Sequence, residues 1–324
     1  MQPKFRVSRT ATSNMRIAVI GTGAVGGYFG AKLAAAGHEL VFLARGKHLE
    51  ALQASGLRVL SPNGDLHIYK ADFLASTAQA GVVDVILFCV KSYDTQPAAE
   101  SLGPLLSDQT TILSLQNGID NPEKIAAVWR NHAVFSGVVY IGAEISSPGV
   151  IRHSNGGKIV FGAADGQRSQ PAIQIERLLS EAGIPCQLSS NIHEVQWSKL
   201  LWNAPFCAIS CLARADVQQI VDSPPLTSLA IDCMSEVQSA AKLRGIILPR
   251  ALFDQTIAFS RGLGAFKPSM LQDLEAGKPL EHEAFNGTVA KLLQASGKAA
   301  PINQAFQSLL QQLERHSREG KHTR

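Results

Sequence analysis

Residues 17–30, "IAVIGTGAVGGYFG", constrain the fold of this chain more than any other stretch. The run "MRIAVI" (15–20) is short and almost wholly apolar, as a strand buried on both faces must be. Gly21, Gly23 and Gly26 follow at once with G-x-G-x-x-G spacing. An alanine-rich segment closed by Gly37 then reads as a helix, and "ELVFLAR" (39–45) as a second strand. Strand, glycine turn, helix and strand in this order are the unit that a dinucleotide-binding fold requires. The three glycines then serve in turn a tight bend, close approach of the backbone to a pyrophosphate, and close packing of helix on strand. Ala24 and Val25 open the helix, where unpaired N–H groups face the phosphates. A strand-to-helix turn with no ligand would use the same glycines.

The end of the second strand narrows the cofactor. A site for NAD places Asp or Glu there, on the ribose hydroxyls. This chain has "LARGKH", with Arg45 at that end, Lys47 and His48 just after, and no acid until Glu50. A guanidinium pairs with a 2′-phosphate, so the reading is NADPH; the alternative for Arg45 is a solvated loop arginine.

A chain of 324 residues suits two domains. "LRVL" and "LHIYKA" flank the turn "SPNGD", and "VVDVILFCVK" and "TTILSLQNG" read as further buried strands. "AVFSGVVYIGA", "GVIRHS" and "GKIVFG" look like an antiparallel addition, because glycine-rich turns separate them. A helix at about 170–182 and a short strand in "CQLSS" follow. Beyond Asn191, residues 193–213, 225–244, 250–262, 281–297 and 301–315 all read as helices. The expected fold is α/β: an N-terminal Rossmann-type dinucleotide-binding domain (1–189) followed by an all-α C-terminal domain (190–324). Residues 1–14 read as a disordered extension ahead of Met15, and "ERHSREGKHTR" as a frayed tail.

Charge excludes some partners. The 30 Lys and Arg are scattered against 26 Asp and Glu, which argues against a nucleic-acid stripe. No apolar run reaches the length of a membrane span; "VVDVILFCV" is strand-sized and carries Asp84. The five cysteines lie in apolar stretches without CxxC spacing. They read as reduced core thiols of a cytoplasmic protein, with no metal site.

In "WSKLLWNAPFC" (197–207) a lysine stands inside an apolar run. On a helix, Lys199, Asn203 and Cys207 fall at i, i+4 and i+8, on one stripe. Desolvation by Trp197, Leu200 and Trp202 lowers a lysine's pKa. Such a lysine can protonate a ketone oxygen as hydride reaches carbon. The residues alone serve equally for a snorkelling lysine with a buried stem.

Taken with "LARG", "VKSYDT" and "LQNGID", the chain from Met15 to about Ala305 resembles the ketopantoate reductases (2-dehydropantoate 2-reductases). The most specific parts are "LQNG", the lysine and asparagine of "WSKLLWN", and "SMLQDLEAGKPLEHEAFNG". The resemblance implies NADPH-dependent reduction of 2-dehydropantoate to pantoate, a step towards pantothenate and coenzyme A. It makes Lys199 the general acid and Asn203 a substrate-hydroxyl ligand. Asn117 would hold the cofactor ribose and the lysine in register, and Lys91 would lie beside the cofactor and draw in the acidic substrate. Ser269 matches the substrate-carboxylate ligand. Glu281 matches a carboxylate that accepts from a substrate hydroxyl, kept ionised by the start of the helix "EHEAFNG"; Glu283 lies close by. The chain departs from the family at Cys207 and Phe266, where many or some members carry asparagine, and this leaves the identity of the keto acid open. Two other readings use the same residues: a reductase of a bulkier 2-keto acid, and a non-catalytic NADPH-binding sensor. A homodimer through the helical domain is the oligomer to test for.

Overall fold

The computed structural model describes residues 14–322, with side chains to residue 317. The extension read at 1–14 lies outside the described residues, apart from Asn14. The first half alternates β1 (Arg16–Ile20), α1 (Ala24–Ala35), β2 (Glu39–Leu43), α2 (Gly46–Ser55), β3 (Leu57–Leu60), β4 (Leu66–Ile68) and β5 (Asp72–Leu74). It continues with β6 (Val85–Phe88), α3 (Thr95–Glu100), β7 (Thr111–Ser114), α4 (Asn121–Val128), β8 (Ala133–Ser147), β9 (Val150–Gly162), α5 (Gln170–Glu181) and β10 (Cys186–Leu188). All ten strands form one sheet in the order β4-β3-β9-β8-β7-β6-β1-β2-β5, with β10 on β9. From β5 through β2, β1, β6 and β7 to β8 every pairing is parallel. β6 and β7 are buried at every position, as strands covered on both faces must be.

The antiparallel addition differs from the sequence reading. β8 and β9 form one long antiparallel hairpin, and "GVIRHS" and "GKIVFG" are a single strand. The glycines between them make an irregularity within the strand instead of a chain reversal. Gly156 (φ +75°) stands opposite Ile141, where the register shifts.

The second half is helical: α6 (Ile192–Ala213), α7 (Val217–Val221), α8 (Pro224–Leu243), α9 (Ala251–Arg261), α10 (Ser269–Glu275), α11 (Thr288–Ala295) and α12 (Pro301–His322). The helix read at 281–297 is broken: Glu283–Gly287 form a π-helical turn ahead of α11. The helices α2, α3, α4, α7 and α10 had no counterpart in the sequence reading. The tail read as frayed continues α12 as helix to His322. One apolar cluster lies on each face of the sheet and a third fills the helical domain around Leu200, Leu201 and Phe206 of α6. Because α6 also packs on β8 and β9, residues along it meet the sheet directly. No helix among the described residues is long and apolar enough to cross a membrane. All five cysteines are free thiols.

Candidate active site

A cleft of about 1090 Å³ runs between the carboxyl ends of the parallel strands and the helical domain. It exceeds the usual range for small-ligand pockets, roughly 300–1,000 Å³, so an extended ligand such as a dinucleotide is not too large for it. Its floor is the glycine turn. Gly21 has φ +94°, and a Cβ there would stand 2.9 Å from the Val90 nitrogen. A Cβ on Gly26 would collide with the Gly21 carbonyl and the Val19 side chain, so this glycine seats α1 on β1. Gly23 has nothing within 4 Å in the direction of its missing Cβ, which leaves its backbone open to the cleft. α1 starts with no side-chain cap and no acid in its first turn, so the N–H groups of Ala24 and Val25 are available to an anion. Open backbone, an uncapped helix start and a cleft of this size fit a dinucleotide pyrophosphate.

The wall beyond β2 carries Arg45, which precedes α2, and His48. Arg45 is 76% exposed and its Nη2 lies 3.2 Å from Asp94 Oδ2. No acid follows Arg45 closely along the chain, yet one reaches it from the turn after β6. His48 Nδ1 accepts from the Gly149 N–H at 3.1 Å, while its buried Nε2 meets no hydrogen-bond partner among the described residues. Burial lowers the His48 pKa and favours the neutral ring.

Lys91 lines the cleft and is also tied to two carboxylates of the helical domain. Its Nζ donates to Asp273 Oδ2 at 2.6 Å and to Glu281 Oε2 at 3.1 Å, so the sheet domain is bound to α10 and to the segment after it. The side chains of Asp273 and Glu281 are only 9% and 3% exposed. Burial opposes the charge on Lys91, but the two carboxylates outweigh it and hold its pKa above the usual lysine range. Glu281 is ionised for a different reason from the one expected. It precedes the π-helical turn and is not capped into a helix start. Burial raises its pKa, while Lys91 and the Ser92 N–H, at 3.0 Å from Oε1, lower it further. Asp273, which sequence reasoning missed, has its pKa raised by burial, with Lys91 acting against. The partners are 182 and 190 residues apart, so no local pattern marks them.

Lys199 lies behind this pair on α6. Its ammonium donates to the Val139 carbonyl of β8 and stands 5.5 Å from the Tyr140 ring centroid. Burial lowers its pKa to about 8, with Cys207 and Glu281 pulling the other way. Four residues on, Asn203 is 5% exposed, and its amide has no hydrogen-bond partner among the described residues. Cys207 is 1% exposed, with its thiol pKa pushed up by burial.

The cleft lining unites Gly21, Gly23, Ala24, Val25, Arg45, Lys91 and Asn117 of the sheet domain with Ser269 and Glu281 of the helical domain. Gly26 is packed beneath it, and Lys199, Asn203 and Cys207 are not part of its lining. Asn117 follows β7; its carbonyl accepts from Asn121 Nδ2 at 2.6 Å, which fixes the turn. Ser269 begins α10, about one helical turn ahead of Asp273. Phe266 packs towards Trp202, ring centroids 6.4 Å apart, and does not line the cleft.

The ketopantoate reductase PanE/ApbA family model matches residues 17–166, and its C-terminal counterpart matches residues 191–314. The 2-dehydropantoate 2-reductase of Mesorhizobium japonicum is 32% identical over 320 residues, covering 92% of this chain and 98% of that one. The chain belongs to the ketopantoate reductase family. The 2-dehydropantoate 2-reductase structure from Geobacter metallireducens GS-15 superposes with a TM-score of 0.87 at 29% identity, over 92% of this chain and 99% of that one. A D-mandelate dehydrogenase structure with NADH and anilino(oxo)acetate shares the fold, with a TM-score of 0.85 at 20% identity, over 94% and 100% of the two chains. As a ketopantoate reductase-type protein, the chain is an NAD(P)H-dependent oxidoreductase with a Rossmann-type domain and a helical one.

Proposed function

We propose that this chain reduces 2-dehydropantoate to pantoate with NADPH, and that Lys199 is the general acid. The same reading divides the chain into 1–189 and 190–324. The observation that carries it is the state of Lys199: a half-buried ammonium held between α6 and β8, with burial lowering its pKa to about 8. A general acid works best when its pKa lies near the working pH. The Val139 carbonyl takes one of its three N–H donors and leaves two for the substrate oxygen.

The cofactor, when bound, supplies hydride to the ketone carbon. The glycine turn and the start of α1 hold its pyrophosphate, Arg45 pairs with the 2′-phosphate, and Asn117 and Lys91 stand beside the rest. As the carbonyl oxygen gains charge, Lys199 gives it a proton and is left as the neutral amine. Asn203, whose amide lacks a partner among the described residues, takes a substrate hydroxyl, and Ser269 the carboxylate. Ionised Glu281 accepts from a hydroxyl while it holds Lys91 in place.

Rates measured against pH in both directions test this. Reduction requires protonated Lys199, so kcat/KM with 2-dehydropantoate is expected to be flat below pH 8 and to fall above it. Oxidation of pantoate requires the neutral amine and is expected to rise through the same range. A reduction rate unchanged to pH 10 would remove Lys199 from the proton transfer. A bulkier 2-keto acid is the second reading, favoured by the apolar burial of Cys207 where many family members carry an amide. A higher kcat/KM on such an acid than on 2-dehydropantoate would establish it.

A further inference from the structure

Four lysine and arginine side chains line the cleft: Arg45, Lys91, Lys267 and Lys278. Three of them are already matched by carboxylates. Arg45 faces Asp94 at 3.2 Å, Lys91 faces Asp273 and Glu281, and Lys267 lies 2.9 Å from Glu275. Lys278 makes no side-chain hydrogen bond or ion pair among the described residues. An exposed lysine ordinarily gains little from a fixed position, yet the backbone here is held on both sides. Gly277, with φ +63°, ends α10, and the Lys278 N–H returns to the Asp273 carbonyl at 2.8 Å. Pro279 follows and restricts Lys278 to extended conformations. The lysine thus stands on a fixed point of the helical domain.

Across the cleft lies the wall of His48 and the glycine turn. Thr22 and His48 line the cleft together with Lys278. Lys278 thus lines the same cleft as the glycine turn, within electrostatic reach of both His48 and Asp273. His48 itself is held towards the neutral form by burial, so it adds no full charge there.

We propose that Lys278 is a ligand of the cofactor's phosphates, supplied by the helical domain across the cleft. This rests on the reading that NADPH occupies the cleft. Arg45 and the start of α1 hold the phosphates from the sheet side, and Lys278 closes on them from the other. Cofactor binding then ties the two domains together at a second point beside the Lys91 pair. The geometry asks only for a flexible four-carbon stem and a point charge, which is what lysine offers a phosphate.

The test is a fluorescence titration of wild type, Lys278→Met and Lys278→Arg with NADPH and with NADH, at low and high salt. Thermal melts of all three confirm that each is folded. Lys278→Met is expected to bind NADPH about tenfold more weakly at low salt, and Lys278→Arg within about twofold of wild type. The salt dependence of NADPH binding should be shallower in Lys278→Met, because one phosphate contact is gone. A loss shared by NADH assigns the contact to the pyrophosphate, and a loss confined to NADPH assigns it to the 2′-phosphate. Wild-type affinity and salt dependence in Lys278→Met would overturn the proposal and leave the cleft reading intact. Failure of the wild type to bind either dinucleotide would overturn both.

Discussion

Replacing Lys199 by alanine is expected to lower kcat for 2-dehydropantoate by a factor of about 10²–10⁴, the usual contribution of a positioned proton donor. The affinity for NADPH should stay within about twofold, because Lys199 is not part of the cleft lining where the dinucleotide would lie. Stability is expected to change little. The ammonium is partly desolvated in the folded protein, so removing it also removes a cost. The Val139 carbonyl loses a partner but stays within the β8–β9 ladder. Lys199→Met keeps the stem that packs within α6 and separates loss of the proton from loss of packing. Steady-state kinetics beside a binding titration reads both effects. Turnover at the wild-type rate in either variant would exclude Lys199 as the acid.

Lys91→Met is expected to have the largest effect on stability. It leaves Asp273 and Glu281, 9% and 3% exposed, facing one another with no cation between them. Breaking a buried pair on one side costs about 3–5 kcal/mol, and the 35% exposure of Lys91 puts the expectation near the lower end. The loss depends on pH with a definite sign. In the wild type the Glu281 pKa is depressed, so its contribution is present above the unfolded carboxylate range and lost as pH falls. In the variant an unpaired buried carboxylate has a raised pKa, so stability is lost as pH rises above about 4. The gap between the two proteins should therefore narrow as pH drops from 7 to 4. Denaturant unfolding at several pH values measures it. Adding Asp273→Asn to Lys91→Met should restore part of the loss, since only one carboxylate then lacks a partner. A gap below about 0.5 kcal/mol at pH 7 would show that the pair contributes nothing to holding the domains together.

The two halves of this site differ in how far the sequence discloses them. The glycine turn is legible because its constraints are local: strand, positive φ at Gly21 and helix start lie within ten residues. Lys199 is legible for a related reason. Its desolvating neighbours Trp197 and Leu200 sit on the same helix, and they are buried to 2% and 1% exposure as the apolar pattern requires. The Lys91–Asp273–Glu281 network is not legible, because it is made by the packing of two domains over 180 residues of chain. The Val139 carbonyl that holds Lys199 carries no side-chain signal at all. Glycine misleads once: Gly156 and Gly157 read as a turn between two strands, yet they form an irregularity inside one. Helical periodicity likewise carries 281–297 through as one helix. It does not reveal that Glu283–Gly287 widen into a π-helical turn next to Glu281, where such turns often accompany function.

The most direct test of the account is the consumption of NADPH absorbance by the purified wild-type protein with 2-dehydropantoate, with the product identified as pantoate. The account predicts one pantoate formed for each NADPH consumed, and consumption slowed by a factor of about 10²–10⁴ in Lys199→Ala under the same conditions. Binding of NADPH without turnover of 2-dehydropantoate would contradict it.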